Sequence, residues 1–366
     1  MNADKKTVYI IGAGASTDWG FPVGEALKTE IAKLFEQNRG AFTDPSLKQR
    51  YSNLIRMQKT IEAASLKKEA QTIRAAMPLS FSIDNFLDAT PDNVQRISLG
   101  KIAIVRTILS YERESELCLG KGRSIVDILQ TKSWHTNLFQ SLVENCTFDG
   151  FKERLKRVTF IVFNYDRVLE QFLLLATRLY YQASEDDAAE AVNVLEIIHP
   201  YGQCGVLPWQ NVGNNCELDY GSNESLNHDE LKDLAEQIYT FTDKRSLAST
   251  TRSKAHVAIL NSERLVSLGF AFHPMNMQWL DCREAYDRDT TDPEVRELRK
   301  KRKMYACAYG MSENDLSIIR NMCLRAFDFH LTKVTLKERA MFSDRDAKCG
   351  DFMGQFSLSV GYGELV

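Results

Sequence analysis

The sequence predicts an α/β protein with a Rossmann-like parallel sheet and a large α-helical insertion. An apolar run rich in β-branched residues, 8–11, ends in a glycine-rich loop, residues 12–16, and an amphipathic helical pattern follows over residues 23–38. Further short apolar runs alternate with helical stretches later in the chain, which is typical of parallel strands covered on both faces. Between these two parts, residues 43–150 have helical periodicity and few strand signals.

This pattern divides the chain into a core, an insertion and an extension. Residues 1–42 and 151–330 are expected to form the Rossmann-like core, residues 43–150 the α-helical insertion or cap, and residues 331–366 a C-terminal extension that packs on the core. Ser312 is predicted to cap the helix that follows the last strand. Beyond the first apolar run, the predicted strands lie in residues 157–166, 195–202, 255–260, 264–272 and 304–310.

Composition indicates an ordinary globular protein. The chain has 366 residues, of which 44% are hydrophobic, enough for a sizeable core and for two or three domain-sized pieces. A net charge of -3 argues against a surface devoted to nucleic acid.

The basic run 299–303 is interpreted as the solvated end of a helix that begins near residue 292, with a polyanion contact as the alternative. No apolar stretch approaches the ~20 residues that span a bilayer, so a cytoplasmic location is expected.

The cysteine spacing argues against a bound metal. Eight cysteines are spread over the chain without a Cys-x-x-Cys pair. Such spacing predicts neither a zinc ribbon nor a thioredoxin-like redox motif. We therefore expect ordinary reduced thiols.

The loop after the first strand, residues 12–16, allows two interpretations. A buried strand that ends in Gly-x-Gly can turn tightly and bring main-chain N–H groups to a diphosphate at the start of the next helix. The same glycines can simply form a turn between a core strand and a helix. The loop is not the dehydrogenase fingerprint, because the third glycine of that motif falls at Thr17, and no Gly-Lys-Ser/Thr follows as in a P-loop.

Polar side chains follow the predicted strands at the edge where a parallel sheet binds ligands. Asn164 and Asp166 follow one strand, His199 ends the next, and His273 follows a third. Each has a structural alternative. Asn164 and Asp166 can cap the next helix, His199 can be a hydrogen-bonded core histidine, and His273 is interpreted as part of a turn. Their convergence with the glycine-rich loop on one crevice favours a functional site.

Taken together, these motifs resemble the sirtuins, and more closely the sirtuin-like NAD hydrolases of bacterial antiphage defence. Residues 12–22 are similar to the sirtuin loop Gly-Ala-Gly-x-Ser-x-x-x-Gly-Ile-Pro in residue type and spacing. The segment 164–170 resembles the Asn-Tyr-Asp-x-x-Leu-Glu of the defence enzymes. Residues 82–87 are similar to a segment of their helical region. The motifs are each short, and the resemblance depends on their combination.

The resemblance implies a sirtuin-type sheet with NAD+ as the substrate, and the cysteine spacing predicts no bound metal. Asn164 would align the nicotinamide ribose or an attacking water, Asp166 would contact the nicotinamide carboxamide, and His199 would be the general base on the ribose hydroxyls. Cleavage of an N-glycosidic bond passes through an oxocarbenium-like state that nearby acceptors stabilise. Backbone groups of the loop and the Ser16 hydroxyl would hold the diphosphate. The residues implied to bind NAD+ are Gly12, Ala13, Gly14, Ala15, Ser16, Phe21, Pro22 and Gly269.

The chain also departs from the sirtuin pattern. The four-cysteine zinc module of the deacetylating sirtuins has no counterpart in the sequence. Residues 23–25 replace the Asp-Phe-Arg that follows the sirtuin proline, and residues 270–271 replace the Thr-Ser after the late glycine. Tyr201 stands directly before a glycine, where the sirtuin histidine is expected, and His199 lies two residues earlier. His199 is retained as the candidate base because a phenol of pKa about 10 is a poor base at neutral pH.

The expected function is an NAD+ glycohydrolase that releases nicotinamide and ADP-ribose, with water as the acceptor. In a defence setting it would deplete the NAD+ of an infected cell, gated by homo-oligomer assembly or by a partner such as a co-encoded ATPase or phage sensor. The alternatives are a protein deacylase or ADP-ribosyltransferase on the same fold, and a non-catalytic module that binds NAD or ADP-ribose as a signal. Direct binding to nucleic acid or to a membrane is not expected.

Overall fold

In the computed structural model the chain is described over residues 6–360, with several segments left out. Those segments are residue 39 and residues 120–123, 211–212, 214–215, 223–225, 241–242, 244–249, 284–296, 299–300 and 328–338. The helix expected near residue 292 falls largely in one of them and lies outside the described residues. No helix in the described part of the chain combines the length and the apolar character that crossing a bilayer requires.

The core of the protein is a six-stranded, all-parallel sheet. The strands of the described chain are β1 (Thr7–Ile11), β2 (Gln37–Asn38), β3 (Ala41–Phe42), β4 (Val158–Val162), β5 (Glu196–Ile198), β6 (Arg264–Leu268), β7 (Lys303–Ala306) and β8 (Ala340–Phe342). The order in the sheet is β5-β4-β1-β6-β7-β8. Counted along the chain, the strands of this sheet run 3-2-1-4-5-6, which is the order of the Rossmann-like dinucleotide-binding sheet. A separate antiparallel pair, β2 and β3, precedes the insertion.

Helices cover both faces of this sheet and form the insertion. A 3₁₀ helix, Ala13–Trp19, follows β1 directly, and a short one spans Met77–Leu79. The α-helices are α1 (Gly24–Leu34), α2 (Pro45–Arg56), α3 (Thr60–Ala76), α4 (Ile83–Asp88), α5 (Val94–Glu114), α6 (Ile125–Leu129), α7 (Trp134–Val143), α8 (Phe148–Leu155), α9 (Val168–Tyr181), α10 (Glu185–Val192), α11 (His228–Ala235), α12 (Thr250–Leu260), α13 (Pro274–Leu280), α14 (Glu313–Ala326), α15 (Cys349–Gln355) and α16 (Ser357–Val360).

Most of the predicted elements are confirmed, and one is wrong. Every predicted strand except residues 255–260 contains an observed strand, and Ser312 caps α14 by accepting a hydrogen bond from the Asp315 N–H at 3.1 Å. Residues 255–260 belong to helix α12, where Ala255 and Ile259 are buried on one face and Val257 is exposed. A run of six residues, five of them apolar, is too short for its period to separate a strand from a buried helix.

The basic run matches its interpretation as a solvated helix end at Lys301, which is helical and exposed, but not at Arg302. Arg302 is fully buried, and its guanidinium donates to the carbonyl oxygens of Ser262, Phe327 and Leu260. Lys303 is the first residue of β7. A guanidinium offers five N–H donors in a fixed fork, so one arginine can satisfy several buried carbonyls at once. Arg302 therefore has a structural role, the satisfaction of buried carbonyl oxygens, which could not be predicted from its position in a basic run.

The insertion is fastened to the core by a buried ion pair. Within residues 43–150 the described chain forms α2 to α8. Glu112, near the end of α5, accepts a hydrogen bond from Nε of Arg167 at 3.0 Å, and both side chains are fully buried. Arg167 also donates to the carbonyl oxygen of Leu218. Because Arg167 directly precedes α9, this pair holds the insertion against the residues that follow β4.

Beyond the ends of β1 and β6, the two chain segments meet backbone to backbone. The N–H of Gly12 donates to the carbonyl of Leu268, and the N–H of Gly14 donates to the carbonyl of Gly269, both at 3.0 Å. A Cβ atom on Gly12 would lie 2.6 Å from the Gly269 oxygen. A Cβ on Gly269, whose φ is +57°, would lie 2.0 Å from the Ala15 nitrogen. The close contact between the two segments therefore requires glycine at these positions. This agrees with the interpretation of the loop as a turn between a core strand and a helix.

We expect Gly269→Ala to lower the free energy of unfolding by about 2–5 kcal/mol, because the new Cβ both overlaps the backbone of residues 14–15 and disfavours a positive φ. Urea denaturation of the two proteins measures the difference. Gly24→Ala is the matched control, since a Cβ there meets no atom within 4 Å. Equal losses in both variants, or none in Gly269→Ala, would contradict the requirement for glycine at position 269.

Candidate functional site

A cavity of about 700 Å³ lies at the carboxyl ends of the central strands. Its volume is within the roughly 300–1,000 Å³ typical of small-molecule sites. The strand order reverses at β1, and ligands of such sheets bind in the crevice at this switch point. The walls come from Ala13 and its neighbours in the loop, residues 163–166 after β4, Gly269 after β6, residues 81–84 of the insertion, and Lys348 and Cys349 near the C-terminus.

A second cavity, of about 720 Å³, lies at the opposite edge of the sheet. Its lining includes Lys6, Thr159 and Glu196, which belong to or adjoin the amino ends of β1, β4 and β5. In doubly wound sheets the amino ends of the strands are not where ligands bind. The carboxyl-end cavity is therefore the candidate site.

Most of the residues that the sequence singled out line this cavity. They are Gly12, Ala13, Gly14, Phe21, Pro22, Asn164, Asp166, Gly269 and His273. Ala15 and Ser16 are buried outside its lining. His273 caps α13, with Nδ1 accepting from the Met275 N–H at 3.3 Å, which agrees with its interpretation as a turn residue.

A buried hydrogen-bond network connects the loop after β1 with the residues after β4. The Ser16 hydroxyl donates to the Asp166 carboxylate, with Oγ 2.9 Å from Oδ2, and accepts from Asn164 Nδ2 at 3.0 Å. Asp166 Oδ1 also accepts from the Val168 N–H at 3.2 Å, so Asp166 does bond to the start of α9. Within the described part of the chain, Asn164 makes no hydrogen bond to that helix. Ser16 thus fixes the orientation of the Asn164 amide.

The carbonyl oxygen of this amide is an acceptor without a donor. Asn164 Oδ1 is buried and has no hydrogen-bond partner among the described residues. A buried acceptor left unpaired costs about 1–3 kcal/mol. Asn164 lines the cavity, and its Oδ1 lies just below the cavity surface, so a small shift of the amide would let a ligand hydroxyl or a water molecule satisfy this oxygen. This unpaired acceptor makes Asn164 a candidate contact for a bound molecule.

Burial makes Asp166 an unusually weak acid. Desolvation raises the pKa of this carboxyl to about 7, although the hydrogen bonds from Ser16 and Val168 oppose the shift. The charges of Glu170 and Glu112 raise the pKa further. Near neutral pH, Asp166 is therefore close to the midpoint of its titration.

Asp84, to which the sequence gave no individual role, is a second acid in the cavity. Its Oδ1 accepts from the Tyr165 hydroxyl at 2.6 Å, which joins the insertion to the chain after β4. Burial raises the pKa of Asp84 to about 6, and the charge of Asp88 adds to this, whereas Tyr165 and Lys101 oppose it. The resemblance marked the segment 82–87 but assigned it no chemistry.

His199 and Tyr201 occupy different environments. Nε2 of His199 lies 2.8 Å from Oε1 of Glu170 on α9, and the ring is not part of the cavity lining. Tyr201 does line the cavity, and its hydroxyl donates to Asn276 Oδ1 at 2.8 Å. Burial raises the pKa of Tyr201, so its hydroxyl stays protonated. The structure does not bring His199 together with Asn164 and Asp166 at the cavity surface.

The N–H groups of the loop are only partly available to a ligand. Those of Gly12 and Gly14 bond to Leu268 and Gly269, and that of Ala15 bonds to the Gly12 carbonyl. Among the described residues of the lining, the exposed cation is Lys348, which precedes α15. Sequence analysis missed Lys348 because nothing in its local pattern sets it apart from other surface lysines.

An all-parallel sheet in this strand order, with a ligand-sized cavity at its switch point, defines a Rossmann-like α/β protein. No protein-family model matches the chain, and no curated protein matches it. Among the described residues, no group of three or more His, Cys, Asp or Glu side chains could hold a metal ion.

We expect Asp166→Asn to flatten the pH dependence of stability between about pH 4 and pH 7. The folded state holds the Asp166 proton up to a pKa of about 7 and the unfolded state only to 3.8, so the wild-type protein loses stability as the pH rises through this window. The variant should lose less, by up to about 1.4 kcal/mol per pH unit. Urea denaturation at a series of pH values measures this, with Asp92→Asn as the exposed control. Parallel profiles for wild type and Asp166→Asn would contradict the raised pKa.

Proposed function

We propose that the protein is an NAD+ glycohydrolase that cleaves NAD+ to nicotinamide and ADP-ribose. The observation that carries the proposal is Asn164, an amide held by Ser16 with its carbonyl oxygen unpaired beside the cavity at the switch point. The resemblance of its segment to the sirtuin-like NAD hydrolases supplies the substrate class. An orphaned acceptor suits a ribose hydroxyl or a water molecule, and both occur in this reaction.

The cavity offers complementary groups to the parts of a dinucleotide. Its apolar walls, which include Phe21, Phe163 and Phe270, suit planar rings. The diphosphate would pair with Lys348, an exposed cation of the lining, since the N–H groups of Gly12 and Gly14 are already bonded within the protein. The negative charge of the diphosphate would then be neutralised by the C-terminal part of the chain, and not by the loop after β1 as the resemblance implied.

Hydrolysis requires one bond to break, one to form and one proton to move. The bond from the ribose C1′ to the nicotinamide nitrogen breaks, and its electron pair leaves with nicotinamide. Water then attacks C1′ of the oxocarbenium-like species and gives a proton to a base. Asn164 would align the ribose or the water, and Asp166 would contact the carboxamide.

We assign the base to Asp84 rather than to His199. Asp84 lines the same cavity as Asn164, and its pKa of about 6 leaves the carboxylate ionised at neutral pH yet more basic than an ordinary aspartate. The His199 ring is hydrogen-bonded to Glu170 outside the lining, and a protonated Tyr201 cannot accept a proton. His199 would then act on the site indirectly, through Glu170 on α9.

The proposal extends to regulation. As an effector of antiphage defence, the enzyme would be held inactive until homo-oligomer assembly or a partner protein completes or opens the cavity. The insertion suits such a role because it contributes Asp84 to the cavity and also exposes large apolar side chains to solvent. These side chains are Ile55, Met57, Ile61, Leu79, Phe81 and Val94.

The test incubates purified protein with NAD+ and separates the products by chromatography. Nicotinamide and ADP-ribose in equal amounts support hydrolysis. Acyl-ADP-ribose, formed only with an acylated peptide, would make the protein a deacylase, and binding without turnover would make it a sensor module. A negative result is repeated after concentration to promote assembly.

We expect Asn164→Ala to lower nicotinamide release by at least about 100-fold, because the reacting ribose or water loses its acceptor. Product formation at saturating NAD+ measures the loss, and thermal unfolding checks that the variant is folded. Asn261→Ala, at the opposite edge of the sheet, is the matched control and should keep wild-type turnover. Near-normal turnover of a folded Asn164→Ala protein would remove the proposed role.

We expect the activity of the wild-type protein to fall below about pH 6, because protonation of Asp84 removes the base. The groups that face this carboxyl are Asp88, Lys101, Tyr165 and Tyr201. Asp84→Asn should lower turnover by about 10²–10⁴-fold and abolish the acid limb of the pH profile.

Asp92→Asn, at an exposed position, is the control for this experiment and should keep both the wild-type turnover and the fall in activity at low pH. If Asp84→Asn retains the acid limb while His199→Ala loses it, the base is His199 and our assignment is wrong.

A further inference from the structure

Two thiols meet in the wall of the cavity. Cys307 follows β7, and Cys349 is the first residue of α15, 42 positions later in the chain. Their Sγ atoms are 4.0 Å apart, with the Cys349 thiol donating towards the Cys307 sulfur. Both side chains are buried in the protein and line the cavity. The cysteines are not bonded to each other.

The surroundings of Cys307 favour its thiolate. The hydrogen bond from Cys349 is the largest cause, and it lowers the pKa of Cys307 to about 7 despite burial. Backbone N–H groups of Tyr309 and Gly269 and the Ser343 hydroxyl act in the same direction. A thiolate, and not a thiol, is the nucleophile in cysteine oxidation, so the lowered pKa favours the reactive form of Cys307, although its thiol also donates to the Ala347 carbonyl at 3.4 Å.

A disulfide is within reach of this pair. The sulfur atoms of a disulfide are about 2.05 Å apart, so Cys307 and Cys349 must approach by about 2 Å. Cys349 lies at one end of a seven-residue helix next to the exposed Lys348, whereas Cys307 adjoins the rigid sheet. Because Cys349 lies outside the sheet, a movement of the α15 end would bring the two sulfurs together.

We propose that Cys307 and Cys349 form an oxidative modification site in the cavity wall, a dithiol that hydrogen peroxide or a small organic hydroperoxide converts to a disulfide. The Cys307 thiolate attacks a peroxide oxygen, the O–O bond breaks, and hydroxide leaves from hydrogen peroxide or an alkoxide from an organic hydroperoxide, so that Cys307 becomes a sulfenic acid. The Cys349 sulfur then attacks the Cys307 sulfur and loses its proton, the S–O bond breaks, and the oxygen leaves as water. Overall, two thiols and hydrogen peroxide give one disulfide and two waters, an organic hydroperoxide gives one water and one alcohol, and a dithiol reductant restores the two thiols.

The experiment treats the full chain with hydrogen peroxide, blocks the remaining thiols with iodoacetamide, and maps the peptides by mass spectrometry without reduction. We expect a linked pair of peptides containing Cys307 and Cys349, lighter than their sum by two hydrogen atoms, which disappears after treatment with dithiothreitol. In Cys349→Ser the link cannot form, and Cys307 should be trapped as a sulfenic acid by dimedone.

Cys323→Ser is the matched control, because burial raises the pKa of Cys323 and it should take no part. Full alkylation of both Cys307 and Cys349 after peroxide treatment, or a link to another cysteine instead, would overturn the proposal.

A second arm of the experiment connects the thiol pair to the cavity. NAD+ added before peroxide should slow formation of the link at least severalfold, because a ligand in the cavity shields both sulfurs. This arm alone rests on the proposed function. A link that forms at the same rate with and without NAD+ would count against NAD+ as the ligand, while the modification site itself would stand.

Discussion

The close backbone contact between the loop after β1 and the end of β6 is the constraint on which the site depends. Gly12 and Gly14 donate to the carbonyls of Leu268 and Gly269, and no side chain fits between the two segments. Because this contact lies where the strand order reverses, it forms the floor of the cavity. The same hydrogen bonds that join the strands also occupy N–H groups that a phosphate would otherwise use, so the cation for an anionic ligand has to come from elsewhere in the fold.

The insertion does more than cover the sheet. The ring nitrogen of Trp134 donates to the carbonyl of Ala15, and the ring nitrogen of Trp19 donates to Nδ1 of His135. Helix α7 is thus hydrogen-bonded to the 3₁₀ helix that contains most of the glycine-rich loop. Burial lowers the pKa of His135 to about 3, which keeps the ring neutral and able to accept that hydrogen bond. The insertion also contributes Asp84 to the cavity. Any rearrangement of the insertion would therefore reach the site through these contacts.

Burial, more than pairing with cations, sets the acid–base properties of the cavity. Desolvation is the largest cause of the raised pKa values of Asp84, Asp166 and Tyr201. The thiol of Cys307 is the exception, since a hydrogen bond lowers its pKa against the effect of burial. The cavity thus combines weak acids, a protonated phenol and an acidic thiol, and these groups would not differ so much from ordinary values on an exposed surface.

The sequence by itself determined the fold class, most strands, the helical nature of residues 43–150, and the place of Asn164 and Asp166 at the cavity, because short apolar runs and strand-end residues carry this information locally. It could not determine that residues 255–260 are helical, since so short a run, with five apolar residues, fits either period. It could not show that the His199 ring is hydrogen-bonded to Glu170, or that Lys348, Asp84 and the Cys307–Cys349 pair line one cavity. Those facts depend on contacts between residues far apart in the chain, and only the packing of the insertion and the C-terminal helix on the sheet decides them.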